Sequence, residues 1–166
     1  YSPAFAQRAA AYNAQGRFAQ ARADFDEALA LKANDAATYL ARAYSLYHLQ
    51  RYTEAIDDFT QAIALNAQAA SAYYGRALAY LHLNQPDQAL PDLDRSIQID
   101  PTRRPAWRER GRIYYARADY AHALIDFNQA LKLDASDGSA SYWRGLTQYR
   151  LGQYALAVQD FDQVAA

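Results

Sequence analysis

The stretch from Ala37 to Asn66, ATYLARAYSLYHLQRYTEAIDDFTQAIALN, carries two helical rhythms separated by a polar break. Tyr39, Ala43, Leu46 and Leu49 fall three or four residues apart, and Tyr52, Ala55, Ile56, Phe59, Ala62 and Ile63 follow the same rhythm. This spacing puts the apolar side chains on one face of each helix. The break between them, Gln50-Arg51, is so short that the two helices must run antiparallel as a hairpin.

The same unit recurs along the chain. Asp24-Phe25, Asp58-Phe59, Asp92-Leu93, Asp126-Phe127 and Asp160-Phe161 stand 34 residues apart. An arginine lies 16 residues before each aspartate, at Arg8, Arg42, Arg76, Arg110 and Arg144, and is followed by a small residue, Ala9, Ala43, Ala77, Gly111 or Gly145. Alanine precedes each aspartate by three, at Ala21, Ala55, Ala89, Ala123 and Ala157. Further breaks equivalent to Gln50-Arg51 are Gly16-Arg17, Asn84-Gln85, Ala118-Asp119 and Gly152-Gln153. Longer gaps close the units at Ala33-Asn34-Asp35, Ala67-Gln68-Ala69, Pro101-Thr102-Arg103 and Ala135-Ser136-Asp137. A period of this length marks a stack of hairpins, because one hairpin cannot bury both of its apolar faces alone.

Composition agrees and excludes much else. The 166 residues include 38 alanines, 15 arginines and 2 lysines, with 6 glycines and 5 prolines, a balance that favours helix. By codon use, the Ala and Arg excess fits a bacterial genome. The absence of cysteine excludes disulfides, thiolate metal sites and cysteine nucleophiles. A formal charge of −1 gives no global attraction to nucleic acid or anionic membrane. No apolar run reaches the roughly 18 residues of a membrane span, so no membrane insertion is expected in this segment. Opening on Tyr1 with no methionine, the chain reads as a processed product or a piece of a longer bacterial protein.

These positions resemble the tetratricopeptide repeat (TPR) family over the whole chain. An aromatic early in the first helix matches Phe5, Tyr39, Tyr73 and Trp107; the small residues after each arginine match next; Tyr12, Tyr80 and Tyr114 follow. Phe18, Tyr52, Tyr120 and Tyr154 match the aromatic that opens the second helix, and Ala28, Ala62, Ser96 and Ala130 a later small residue. Ser141, Gln148, Pro86 and Val164 depart from the pattern, and the closing proline survives only as Pro101. The resemblance implies an all-α, right-handed superhelical solenoid of antiparallel hairpins. It forms one domain over 1–166, with repeats at about 2–35, 36–69, 70–103, 104–137 and 138–166. The role implied is a non-catalytic protein-interaction scaffold without a cofactor.

In that family's fold the first helices line a concave groove that takes peptides. Its groove-facing places map onto Leu40, Tyr44, Tyr47 and His48; Tyr74, Leu78, Leu81 and His82; Arg108, Arg112 and Tyr115; and Tyr142, Leu146 and Tyr149. The first unit offers only Ala6, Ala10 and Asn13. The bland alternative is that some of these tyrosines merely pack against neighbouring helices. Family members that hold acidic chaperone tails use lysines and asparagines at places occupied here by Ala6, Ala10, Leu40 and Tyr44, so that specificity is not expected.

Charge is concentrated in one unit. Between Pro101 and Arg117 lie Arg103, Arg104, Arg108, Arg110, Arg112 and Arg117 against the single Glu109. Arg104, Arg108 and Arg112 fall one turn apart on one stripe, where guanidinium groups could clamp an acidic side chain or a free carboxylate of a peptide ligand. The alternative is a solvated face balanced by acids on adjacent helices. Nucleic-acid binding through this unit is a minor reading, since backbone tracking wants a continuous basic stripe.

The recurring Arg–Asp pair reads either as a structural ladder or as five ligand contacts. Pro91, inside the third unit's second helix, predicts a late start or a kink there. His48 and His82 occupy equivalent places in neighbouring units and are expected near one another, but no further metal ligands converge with them. No serine has a readable histidine partner and no phosphate loop follows a strand, so catalysis is not expected. The last helix, Tyr154 to Ala166, presents Leu156, Ala157, Phe161 and Val164 without a following helix to cover them. Self-association through this uncapped helix, stacking units end to end, is therefore the rival to peptide capture.

Overall fold

The computed structural model describes residues 2–31 and 35–165, so the gap expected at Ala33-Asn34 lies outside the described residues. Ten helices follow one another: α1 (Ser2–Ala14), α2 (Phe18–Ala30), α3 (Ala36–His48), α4 (Tyr52–Leu65), α5 (Ala70–His82), α6 (Pro86–Ile99), α7 (Arg104–Ala116), α8 (Tyr120–Leu133), α9 (Gly138–Arg150) and α10 (Tyr154–Ala165). There is no strand among the described residues. They group into two compact units, Tyr1–Asp92 and Leu93–Ala166, and the division falls inside α6. That helix runs unbroken through Pro91 from Pro86, so the late start expected of Pro91 does not occur.

Each tight break is a left-handed turn. Gly16, Gln50, Asn84, Ala118 and Gly152, spaced by the repeat length, all have φ between 56° and 75°. The amide that follows each donates to a carbonyl five residues back, as Arg51 N does to Leu46 O at 2.9 Å and Asp119 N to Tyr114 O at 2.9 Å. This closes the first helix by satisfying its last carbonyls and turns the chain directly into the second.

The arginine–aspartate pairs hold the hairpins. In each, Arg Nε and Nη2 donate to the two carboxylate oxygens of the aspartate 16 residues on, at 2.5 to 2.8 Å. From the second arginine onward, Nη1 also reaches the second helix of the preceding hairpin: Arg42 to Asp26 at 2.8 Å, Arg76 to Thr60 at 3.0 Å, Arg110 to Asp94 at 2.7 Å and Arg144 to Asn128 at 2.9 Å. The aromatic three residues earlier lies under four of these guanidiniums, Phe5, Tyr39, Tyr73 and Trp107 at 5.0 to 5.9 Å. Ser141 takes that place before Arg144.

Around these pairs small residues let helices approach closely. In the first unit, Ala9, Ala21 and Phe25 form one cluster, and Ala43, Leu46, Ala55, Phe59, Ala62 and Ala72 another. In the second, Phe127 is fully buried, and Ala130, Leu131 and Ala140 pack with Trp107. Gly111 and Gly145, where the other units have alanine, are closely covered: a Cβ on Gly111 would lie 2.8 Å from the Phe127 ring, and one on Gly145 2.8 Å from that of Phe161, unless the ring shifts.

Two outcomes follow from these contacts. Arg110→Ala leaves Asp126, 1% exposed, without its cation and is expected to cost about 3 kcal/mol or more. Arg17→Ala, an exposed side chain bonded to Gln20, lowers the melting temperature much less; equal melting points would refute the buried ladder. Burial already pushes the Asp126 carboxyl up, against the opposing hydrogen bond from Arg110. Without Arg110 the folded-state value rises further above the unfolded one, so the folded variant retains a proton that the unfolded chain releases. Its deficit therefore narrows as pH falls through the carboxylate range, which thermal melts at several pH values measure. Ala118→Gly relieves an alanine held at φ 59° and is expected to stabilise by about 0.5–1 kcal/mol in urea denaturation.

Candidate functional site

The first helices carry the candidate surface. All fifteen side chains expected to face a partner reach solvent: His48, His82, Arg112, Tyr142 and Tyr149 are exposed, and the other ten half-buried. None of them is fully buried, but Leu40, Tyr44 and Tyr47 pack against the core formed by Ala43, Leu46, Ala55, Phe59, Ala62 and Ala72, as the alternative reading expected of some tyrosines.

In the first unit α3 and α5 bring their aromatic groups together across the hairpins. Tyr44 O–H donates to the Ser71 carbonyl at 2.9 Å, and its ring meets Phe59 edge-on at 5.2 Å. Tyr47 Oη lies 2.8 Å from His82 Nε2, and the His82 ring stacks on Tyr52 at 4.6 Å. His48 stacks instead on Phe18 at 4.2 Å and meets Tyr47 edge-on. The histidines are thus linked through Tyr47, each capped by the aromatic that opens a preceding second helix. Among the described residues no group of three or more His, Cys, Asp or Glu could hold a metal ion. Tyr52 and Phe18 were absent from the sequence-based set. Their signal was the aromatic at the start of each second helix, 30 residues before His82 and His48.

The second unit carries the arginines, and carboxylates from other stretches meet them. Arg104 pairs with Asp134, and its Nη1 stands 3.5 Å from Asp137. Arg108 Nη1 donates to Asp137 at 3.1 Å, and Arg112 Nη1 to Glu109 at 2.8 Å. Arg103 pairs with Asp100 and Arg110 with Asp94 and Asp126. The local excess of five positive charges is met by Asp94, Asp100, Asp126, Asp134 and Asp137, all outside the counted stretch. Asp137 is central: 7% exposed, it also caps α9 by accepting from Ala140 N at 3.1 Å. Arg112 differs from its neighbours, with its side chain 48% exposed and its guanidinium 5.1 Å from the Trp143 ring centre. Trp143 meets Tyr115 edge-on at 5.4 Å, and Arg150 Nε donates to Tyr115 Oη at 3.2 Å. Trp143, Arg150 and Asp137 lay outside the expected set, because they join it only through packing between α7 and α9.

A tetratricopeptide repeat family model matches residues 7–69 and 40–104, more than half of the sequence, and two further TPR models match 111–152 and 139–166. The chain belongs to the tetratricopeptide repeat family. No curated protein matches by sequence.

Solved structures match in fold. MamA residues 41 to the end, from Desulfovibrio magneticus RS-1, superposes with a TM-score of 0.89 at 19% identity, covering 99% of this chain and 93% of that one. YrrB, described as a TPR protein with an unusual peptide-binding site, gives 0.81 at 22%, covering 96% and 82%. Pseudomonas aeruginosa pilF gives 0.87 at 20%, covering 99% and 75%. As a TPR protein the chain is an all-α, non-catalytic protein-interaction scaffold. No helix among the described residues is long and apolar enough to cross a membrane.

The double duty of Asp137 gives a direct check. Asp137→Ala removes both the cap and the arginine partner and is expected to cost about 1–2 kcal/mol in urea unfolding. Asp137→Ser keeps a capping oxygen and should recover the cap's share. Equal losses in the two variants would show that the ion pairs, not the cap, carry the effect.

Proposed function

We propose that this TPR scaffold binds extended segments of protein partners on the first helices of each of its two units, each unit taken by itself. Tyr44, Tyr47, Tyr74, Leu78 and Leu81 of α3 and α5 take apolar side chains. Arg112, beside Trp143 and Tyr115, takes an acidic group or free carboxylate. The observation that carries this reading is that these aromatic rings are braced yet accessible. Tyr44, Tyr47 and Tyr115 each have the hydroxyl hydrogen-bonded across to a neighbouring hairpin while the ring stays partly open. Braced aromatic rings offer contact area with little ordering entropy to lose on binding.

Within the arginine stripe the roles divide. Arg104 and Arg108 are engaged by the half-exposed Asp134 and the buried Asp137, and a ligand carboxylate there would have to displace these partners. Arg112 leans on Glu109 through one nitrogen only, so its other donors can turn to an anion. The balance of acids around the remaining arginines speaks against a phosphate-tracking surface.

A peptide-display selection on the intact chain tests this, run beside Leu78→Ala and Arg112→Gln variants matched by circular dichroism. The expected result is enrichment of peptides with aliphatic or aromatic residues and one acidic group. Leu78→Ala should weaken the apolar ones, and Arg112→Gln should weaken the acidic ones about tenfold, or 1.4 kcal/mol. Enrichment indifferent to both substitutions would overturn the assignment.

A further inference from the structure

The place four residues after each repeat arginine holds a tyrosine in three of the hairpins, Tyr12, Tyr80 and Tyr114, but a leucine, Leu46, in the second and a glutamine, Gln148, in the fifth. Tyr114 shows what a ring does there. Its centre lies 5.9 Å from the Arg110 guanidinium and 5.2 Å from the His122 ring. Burial raises its phenol above the ordinary value, and the charges of Arg110, Asp94 and Asp126 also act on it. Two repeats earlier, these neighbours are Arg42, Glu54, Asp26 and Asp58.

Around Leu46 those same four residues border empty space. A cavity of about 200 Å³ is bounded by Arg22 and Asp26 of α2, Arg42 and Leu46 of α3, and Glu54, Asp57 and Asp58 of α4. Leu46 and Asp58 are buried, Asp26 is half-buried and Glu54 and Asp57 are exposed, so the cavity opens between α2 and α4. It is the room that a tyrosine ring takes up in the other hairpins. An aromatic ring fits on size, since a cavity of about 150 Å³ admits benzene.

The charges around the cavity select what can enter. Arg42 is held by Asp26 and Asp58, and Arg22 Nη1 stands 3.6 Å from Asp26. A cation entering here meets Arg22 and Arg42, and an anion meets the four carboxylates. A neutral ring with one hydroxyl avoids both costs: its faces can lie against the guanidiniums, and its O–H can donate to a carboxylate lone pair that no arginine uses. Asp57 adds a carboxylate at the mouth that is peculiar to this hairpin, for Ala23, Pro91, Ile125 and Gln159 stand at its place elsewhere. No described residue bonds or pairs with it.

We propose that the cavity over Leu46 receives a tyrosine side chain of a protein partner, which supplies from outside the ring that Tyr12, Tyr80 and Tyr114 supply from within. The commitment to tyrosine rests on the neighbours of the place, which the chain fills with that residue in three other hairpins. The commitment to a protein partner rests on Glu54 and Asp57 at the mouth, which can accept from backbone amides of the segment that carries the ring. The site lies between second helices and is independent of the first-helix surface assigned above.

Nitrogen-15 NMR titration of the intact chain tests it, with three Gly/Ser peptides that carry one central tyrosine, phenylalanine or arginine, and with p-cresol, each taken to about 20 mM to cover weak binding. The tyrosine peptide should shift amides around Leu46 in α2, α3 and α4. The phenylalanine peptide should bind about fivefold more weakly for want of the hydroxyl, and the arginine peptide more weakly still. Leu46→Tyr puts the chain's own ring in the cavity and should abolish binding. Asp57→Arg, at an exposed position where the fold should remain, should weaken it and keeps the test open if Leu46→Tyr misfolds, as circular dichroism would show. Absence of shifts around Leu46, or binding that survives both substitutions, would overturn the proposal. Preference for the arginine peptide would overturn it in favour of a cation seat, and binding of p-cresol without the tyrosine peptide in favour of a free small phenol.

Discussion

The fold depends on an arginine that satisfies three acceptors at once while half sunk between helices. Nε and Nη2 grip a buried aspartate within the hairpin and Nη1 reaches the hairpin before, so one side chain fixes both the internal angle and the neighbour's position. Only a planar guanidinium can do this, because its donors point in fixed directions; a lysine would supply one charge and no fork. The aromatic ring three residues earlier covers the guanidinium at little desolvation cost. Burying Asp126 almost completely is tolerable only because that grip is complete.

Everything else follows the spacing that this contact sets. The left-handed turn must bring the second helix back at a fixed distance, and it does so whether the residue is Gly, Asn, Gln or Ala. Small residues must sit beside the arginine, since Gly111 has a phenylalanine ring where a side chain would be. With the second helices engaged in holding neighbours, the first helices are left to offer their aromatic and charged side chains to solvent.

Much of this was legible in the residues themselves. The period, the ten helices and the five Arg–Asp pairs follow from pattern, because each depends on residues close in sequence or on a spacing repeated without insertion; the fifteen first-helix residues came from the resemblance to the family, and the structure leaves each of them at least partly open to solvent. Pro91 did not delay its helix, which already begins at Pro86. The arginine-rich stretch misled in a more instructive way: its charge was counted along the chain, while its counterions arrive from α6, α8 and the turn before α9. Ala157, expected on the uncovered face of α10, is 2% exposed and belongs to the interior, while the Phe161 ring, set against Gly145 and Tyr142 of α9, stays half-buried.

What the sequence alone determined, then, is the hairpin, its repetition and the identity of the residues that bind one hairpin to the next. Helical periodicity and short turns are local properties that tertiary packing has only to accept. What the tertiary structure decided is which charges remain available. Arg108 and Arg112 look alike one turn apart, yet Asp137 engages one while the other lies against Trp143 and stays half exposed. That distinction rests on side chains about 30 residues away, brought to within hydrogen-bonding reach by stacking, and no local pattern records it.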